Sequence, residues 1–188
     1  LGMIAGFIIL RLRNILGRRT GHETKIYPAF TEKKFNTPNN EAKNSSPNHE
    51  KLEGNEKKEF LKGAEIAYET ILTSFSKGDV KKLKSLLSSD MADNFEQAIQ
   101  SRNKENIQSE FTFIGIKESS VEKYEKIKNE LFASVKFVSE VISVKKDKDN
   151  KIIEGNPDKI KQVTDYWKFS KNILKKGPNW YLTEIISK

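Results

Sequence analysis

The chain has 188 residues, 36% hydrophobic and 32% charged, with a formal charge of +8 from 34 Lys+Arg against 26 Asp+Glu. That balance suits one globular domain with an appendage and excludes collagen-like and wholly disordered chains. There is no cysteine, and the two histidines, His22 and His49, lie in polar, aperiodic sequence. Disulfide scaffolds, thiolate metal sites, Cys nucleophiles, Ser-His-Asp triads and most zinc sites are therefore excluded from the folded part, and no cofactor is expected.

The cations are unevenly placed. Only five are arginines, and four of them (Arg11, Arg13, Arg18, Arg19) directly follow the apolar run LGMIAGFIIL at 1–10. Phe7, Ile8, Ile9, Leu12, Ile15 and Leu16 continue a helical spacing through this cluster. Ten apolar residues fall short of the ~20 that a bilayer core requires. Residues 1–19 are thus expected to be a membrane-anchor helix with a basic flank, either the end of a longer apolar span cut short upstream or an amphipathic anchor. The charges follow the apolar run, and no small-residue cleavage site comes after it, unlike a secretory signal. An arginine cluster without an acid before Glu23 marks the side that is not translocated.

Residues 20–56 carry Pro28, Pro38, Pro47 and many Asn and Ser, with no lasting period. Such a stretch buries too little to offset its ordering entropy and is expected to be a disordered linker. The folded domain is expected at 57–188. Phe60, Leu61, Ala64, Ala67, Tyr68, Ile71 and Phe75 mark an amphipathic helix that Gly78 would end. Asp79 would cap a second helix bearing Val80, Leu83, Leu86 and Leu87. A third, starting at Ser88, Ser89 or Asp90, carries Met91, Phe95, Ala98 and Ile99 and ends near Asn106.

The period then drops to two. Strands are expected over 111–116, over 131–144, over 161–173 and over 180–186, with a polar hairpin tip at 147–151. The apolar phase slips between Phe137 and Val138, which predicts a β-bulge between Val138 and Val141. Gly155-Asn156-Pro157 and Gly177-Pro178-Asn179 read as turns. Helices followed by strands predict an α+β fold, with N-terminal helices packed on a bent four-stranded antiparallel sheet.

Several segments together resemble the Tim44-like domain family: FLKGAEIAYETILTSFSKGD (60–79), LLSSDMADNFEQAIQSR (86–102), VKFVSEVISVKKDKDNKIIEGNPDKI (135–160), VTDYWKFSKN (163–172) and PNWYLTEI (178–185). The Leu-Arg-Leu-Arg and Leu-Gly-Arg-Arg-Thr-Gly stretches within 10–21 are similar to the end of the anchor in bacterial members. The resemblance implies a domain of the cystatin and nuclear-transport-factor-two superfold with an apolar pocket between helices and sheet. It also implies attachment to a bacterial inner membrane, with the C-terminal domain in the cytoplasm. Tyr68, Phe75, Phe95, Phe137, Trp167 and Trp180 are the aromatic residues expected to line such a pocket. Membrane lipids and membrane or translocating proteins are the expected partners, and the expected function is non-enzymatic binding of apolar peptide or lipid in protein translocation or membrane-protein biogenesis.

Two alternatives are weighed against this. Relatives of the superfold that are enzymes pair a pocket carboxylate with a tyrosine, and Asp165 with Tyr68, Tyr166 or Tyr181 is the pairing available here. Glu140 and Glu184 are the other strand carboxylates. A ribosome- or RNA-docking module would need a contiguous Lys face, whereas 57–188 interleaves 25 cations with 20 anions. DNA is not an expected partner. Deleting residues 1–19 is predicted to move the protein from the membrane to the soluble fraction on cell fractionation, and undiminished membrane association of the shortened chain would refute the tether.

Overall fold

The computed structural model describes residues 52–175 and 179–187. The anchor residues Phe7, Ile8, Ile9, Arg11, Leu12, Arg13, Arg18 and Arg19, the linker up to residue 51 and the Gly177-Pro178 turn lie outside the described residues. Among the described residues no helix is long and apolar enough to cross a membrane.

Helix α1, Gly54–Lys77, buries Phe60, Ala64, Tyr68, Ile71 and Leu72 along one stripe. It begins earlier than the apolar period suggests, because its first turns are exposed and polar and carry no hydrophobic signal. It stops at Gly78, whose left-handed backbone (φ 75) lets its N–H reach the Phe75 carbonyl. Asp79 then accepts from the Lys82 N–H at 3.0 Å and caps helix α2, Val80–Lys84. This helix is shorter than its leucine spacing predicts. The backbone at Leu86 and Ser88 leaves the helix to exchange hydrogen bonds with Leu182 at 2.9 Å each, so Leu86 and Leu87 serve a strand edge instead. Ser88 caps helix α3, Ser89–Lys104, which buries Met91, Ala92, Phe95, Ala98 and Ile99.

The strands are β1 (Gln108–Ile127), β2 (Glu130–Lys146), β3 (Ile152–Gly155), β4 (Lys161–Asn172) and β5 (Tyr181–Ile186). All pairings are antiparallel, in the order β1-β2-β4-β5. Among the described residues the expected four strands become five, because β3 pairs with β2 beyond the point where β4 starts. β3 and β4 thus lie in line along one edge of β2, separated by the excursion at 156–160. The Asp147 carboxylate accepts from the Asp149 and Lys151 N–H groups and shapes the hairpin tip ahead of β3.

The bulge falls on the other strand of the pair. β2 keeps an unbroken register with β4 from Glu130 to Val141, while β1 carries three shifts, at Phe113/Gly115, Ile116/Glu118 and Val121/Lys123. Each extra residue flips the face on which later side chains stand. That is why residues 117–127 show no alternation, and why the strand runs on past 116 unannounced.

Ala133, Val135 and Phe137 of β2, Trp167 and Phe169 of β4 and Leu182 of β5 meet α1 and α3 in one core. Helix α1 lies lengthwise over the sheet. At its start Phe60 touches Phe169 and Trp180 (ring centroids 6.2 and 4.7 Å), and near its end the Ser76 hydroxyl donates to the Ser109 carbonyl at the beginning of β1.

Gly155 adopts φ +91, and a Cβ there would stand 2.1 Å from the Ser143 carbonyl oxygen. Gly155→Ala is predicted to destabilise the domain by about 2–4 kcal/mol through strain and forced displacement of β2, read as a lower denaturation midpoint with unchanged slope.

Candidate functional site: a sealed tyrosine–aspartate pair and an open groove

Strand β4 alternates strictly, and its inward positions read Val163, Asp165, Trp167, Phe169. Asp165 is the exception in chemistry but not in placement, being 4% exposed. Opposite it, Tyr68 descends from α1 with no exposed surface. Its hydroxyl donates to Asp165 Oδ2 at 2.6 Å and lies 2.9 Å from Ser139 Oγ on β2. The ring stacks on Phe137 (4.4 Å, 20°) and meets Trp167 at 4.6 Å. One side chain therefore ties the helix to two strands.

Burial pushes the Asp165 carboxyl up from 3.8 to about 6, and the bond from Tyr68 opposes that rise. Burial, and then the neighbouring carboxylate, raise the Tyr68 phenol far above its ordinary range. Of the three tyrosines weighed as partners for Asp165, the fold brings Tyr68 to it. Tyr166 faces the other side of β4, and Tyr181 lines a separate groove. Glu140 and Glu184 pair at the surface with Lys117 (2.7 Å) and Lys168 (3.6 Å). A carboxylate base needs its substrate within hydrogen-bond reach. The Tyr68–Asp165 pair is instead closed over by Phe137 and Trp167 and satisfies its own hydrogen bonds.

The open space lies elsewhere, at the end of the sheet where α1 begins. A groove of about 640 Å³ has Phe60, Ala64 and Phe169 as its floor. Tyr124, Leu131 and Trp180 form its walls, together with Leu52 and Leu86. Glu56, Glu59 and Lys171 stand among its polar lining residues. Gly63 faces it, and a Cβ at that position would meet nothing within 4 Å. A second groove of about 370 Å³ shares Asn179 with the first and is lined mainly by Ser88, Ser89, Glu130, Ser170, Asn172, Lys175 and Tyr181.

Among the six aromatic residues expected at a pocket, Trp180 lines the larger groove. Tyr68, Phe95, Phe137 and Trp167 are core residues, and Phe75 is half-buried against Phe95 at 5.2 Å. Phe60, on the buried stripe of α1, and Phe169, on the inward face of β4, line the groove without being among those six. Tyr124 sits in the part of β1 whose alternation the bulges erase. Among the described residues no group of three or more His, Cys, Asp or Glu is placed to hold a metal.

The family model described as the Tim44-like domain matches residues 53–187. No curated protein matches the chain. Two solved structures are similar in outline. The intermembrane-space region of the chloroplast protein ARC6 has TM-score 0.45 and 12% identity over 68% of this chain and 97% of that one. A ketosteroid isomerase-like protein from Erwinia carotovora atroseptica has TM-score 0.36 and 14% identity over 69% of this chain and 98% of that one.

The raised Asp165 pKa sets a pH dependence. Below about pH 4 the carboxyl is protonated in folded and unfolded chains alike and imposes no ionisation penalty. As pH rises to about 6 the unfolded chain loses the proton first, so this group's contribution to stability falls. Above about 6 the loss is constant, roughly 3 kcal/mol. Asp165→Asn keeps an acceptor for the Tyr68 hydroxyl. It is predicted to be more stable than the parent by about 1–3 kcal/mol near pH 7, with the difference shrinking toward pH 4, in paired thermal melts.

Proposed function

Because this chain belongs to the Tim44-like domain family, we propose that it works as a membrane-tethered, non-enzymatic binding domain in protein translocation or membrane-protein biogenesis. Family membership supports a membrane-associated role related to translocation. The ligand is our reading of the groove: an apolar stretch of peptide or a lipid acyl chain laid between the start of α1 and the walls formed by Tyr124, Leu131 and Trp180.

The observation that carries this reading is the groove itself. Its volume falls within the range of ligand sites, and its floor is apolar and aromatic with charged groups nearby. Such a surface rewards an apolar chain that carries polar ends. The anchor at 1–19 would hold the domain at the cytoplasmic face of a bacterial inner membrane, with residues 20–51 as the tether.

The sealed Tyr68–Asp165 pair weighs on the side of binding rather than catalysis, since it is spent on joining helix to sheet. Several lysines pair with acids, as in Lys84–Glu96, Lys117–Glu140, Lys136–Glu118 and Lys145–Glu154, and acids interleave with lysines along the domain, which weakens an RNA-docking reading.

Two tryptophans make the test direct, because Trp180 lines the groove and Trp167 is buried. A brominated fatty acid or a bromophenyl-bearing apolar peptide is expected to quench part of the indole emission. Gly63→Phe, which projects a ring into the open groove, is predicted to weaken that quenching at least tenfold in concentration while leaving the fold intact by circular dichroism, a loss equivalent to about 1.4 kcal/mol. Equal quenching of the variant would place the ligand elsewhere.

A further inference from the structure

Two neighbouring turns close the sheet at the end where the groove opens. The first, between β1 and β2, exposes half of Ile127 and carries Lys126 and Lys128. The second, after β4, exposes 41% of Ile173 and 71% of Leu174, between Lys171 and Lys175. They are one structure, because the Ile173 N–H donates to the Asn129 carbonyl at 2.9 Å. Leu174 is held in place as well. Its N–H donates to Asn172 Oδ1 at 2.9 Å, and the Lys175 N–H donates to the Asn172 carbonyl. Three large aliphatic side chains are thus held out in water on built turns, whose own residues at 126–130 and 171–175 include four lysines and one acid, Glu130, with Glu56 and Glu59 of α1 nearby at the groove. Exposed aliphatic side chains on adjoining turns with a basic border suit an interfacial membrane contact, where lysine stems lie along the acyl boundary and their ammonium groups meet anionic headgroups.

The chain path points the same way. Helix α1 starts at this end, since Leu52, Glu56 and Glu59 line the groove beside Lys171, whereas its last turn reaches the opposite end of β1. Residues 1–51, with the apolar run and arginine cluster, therefore join the domain beside the exposed Ile127, Ile173 and Leu174. The opposite end of β2 is roughly 50 Å away along the 17-residue strand. Ile152 and Ile153 are exposed there too, but Asp147, Asp149, Glu154 and Asp158 interleave with the lysines and offset most of their charge, so that end attracts an anionic surface less than the two turns do.

We propose that the paired turns at 126–130 and 171–175 form a docking tip that inserts Ile127, Ile173 and Leu174 into the interface of an anionic bilayer, so that the groove mouth faces the membrane. The inference rests on the membrane-tethered reading above and adds the orientation. The anchor holds the protein, while the tip, too small to hold it alone, aims it and gives an acyl chain or an emerging apolar segment a short path to the groove.

The absence of cysteine permits single-site labelling. Full-length Leu174→Cys, Ile127→Cys and Ile153→Cys would each carry a polarity-sensitive dye and be mixed with vesicles of phosphatidylcholine, with or without phosphatidylglycerol. The expected result is a blue shift and quenching by nitroxide lipid at positions 174 and 127 with the anionic vesicles. No change is expected at 153, and adding Lys128→Glu and Lys175→Glu should abolish the shift. Co-sedimentation of the chain with vesicles while the label at 174 stays in water would overturn the tip and leave the tether standing. An equal shift at 153 would also overturn it. Failure to co-sediment would remove the membrane reading and the tip with it.

Discussion

The hydroxyl of Tyr68 is the point on which the helix-to-sheet packing turns. It leaves α1, crosses the core and meets Ser139 of β2 and Asp165 of β4 at 2.9 and 2.6 Å. An apolar interface between a helix and a sheet can slide, because hydrophobic burial has no direction. A hydrogen bond in a low-dielectric core does have direction, and breaking it leaves a buried polar group unsatisfied. The pair therefore sets the register of α1 along the sheet. Asp165 exacts a cost for this, since its charged form is disfavoured by burial, and the fold carries that cost in exchange for a defined geometry.

That register decides where open space remains. With Tyr68 fixed over β2 and β4, Phe60 comes to rest on Phe169 and Trp180, and the first turns of α1 project past the packed part of the sheet. Small residues at Gly63, Ala64 and Ala67 on that stretch leave the groove unfilled. The layer between helices and sheet is packed solid at its centre and open at one end. The carboxylate and the groove are thus separate features, the first buried under Phe137 and Trp167 and the second open.

Much of the fold was legible in the chain. The buried stripe of α1 at Phe60, Ala64, Tyr68 and Ile71, the caps at Gly78 and Asp79, the start of α3 to within Ser88, Ser89 or Asp90, and the alternation in β4 all follow from local rules that act within a few residues. The parts that were not legible depend on partners distant in sequence. Leu86 and Leu87 fit a helix until Leu182 offers a strand edge. The far half of β1 has no alternation because three extra residues change its facing. Core and pocket aromatics look alike in a pattern, since both are apolar and periodic. Only packing separates Phe137, stacked under Tyr68, from Trp180, at the groove wall.

The amino-acid sequence by itself determined the order of helices then strands, their principal faces, the absence of thiol and domain-histidine chemistry and the family resemblance, because composition, period and capping are local properties. Tertiary structure alone decided that Asp165 meets Tyr68 in the core. It alone also put the groove, the start of α1 and the exposed Ile127, Ile173 and Leu174 at one end of the sheet. Those outcomes depend on how strands far apart in the chain align, and strand alignment is set by the sum of many weak contacts and one buried hydrogen-bonded pair, which no local pattern records.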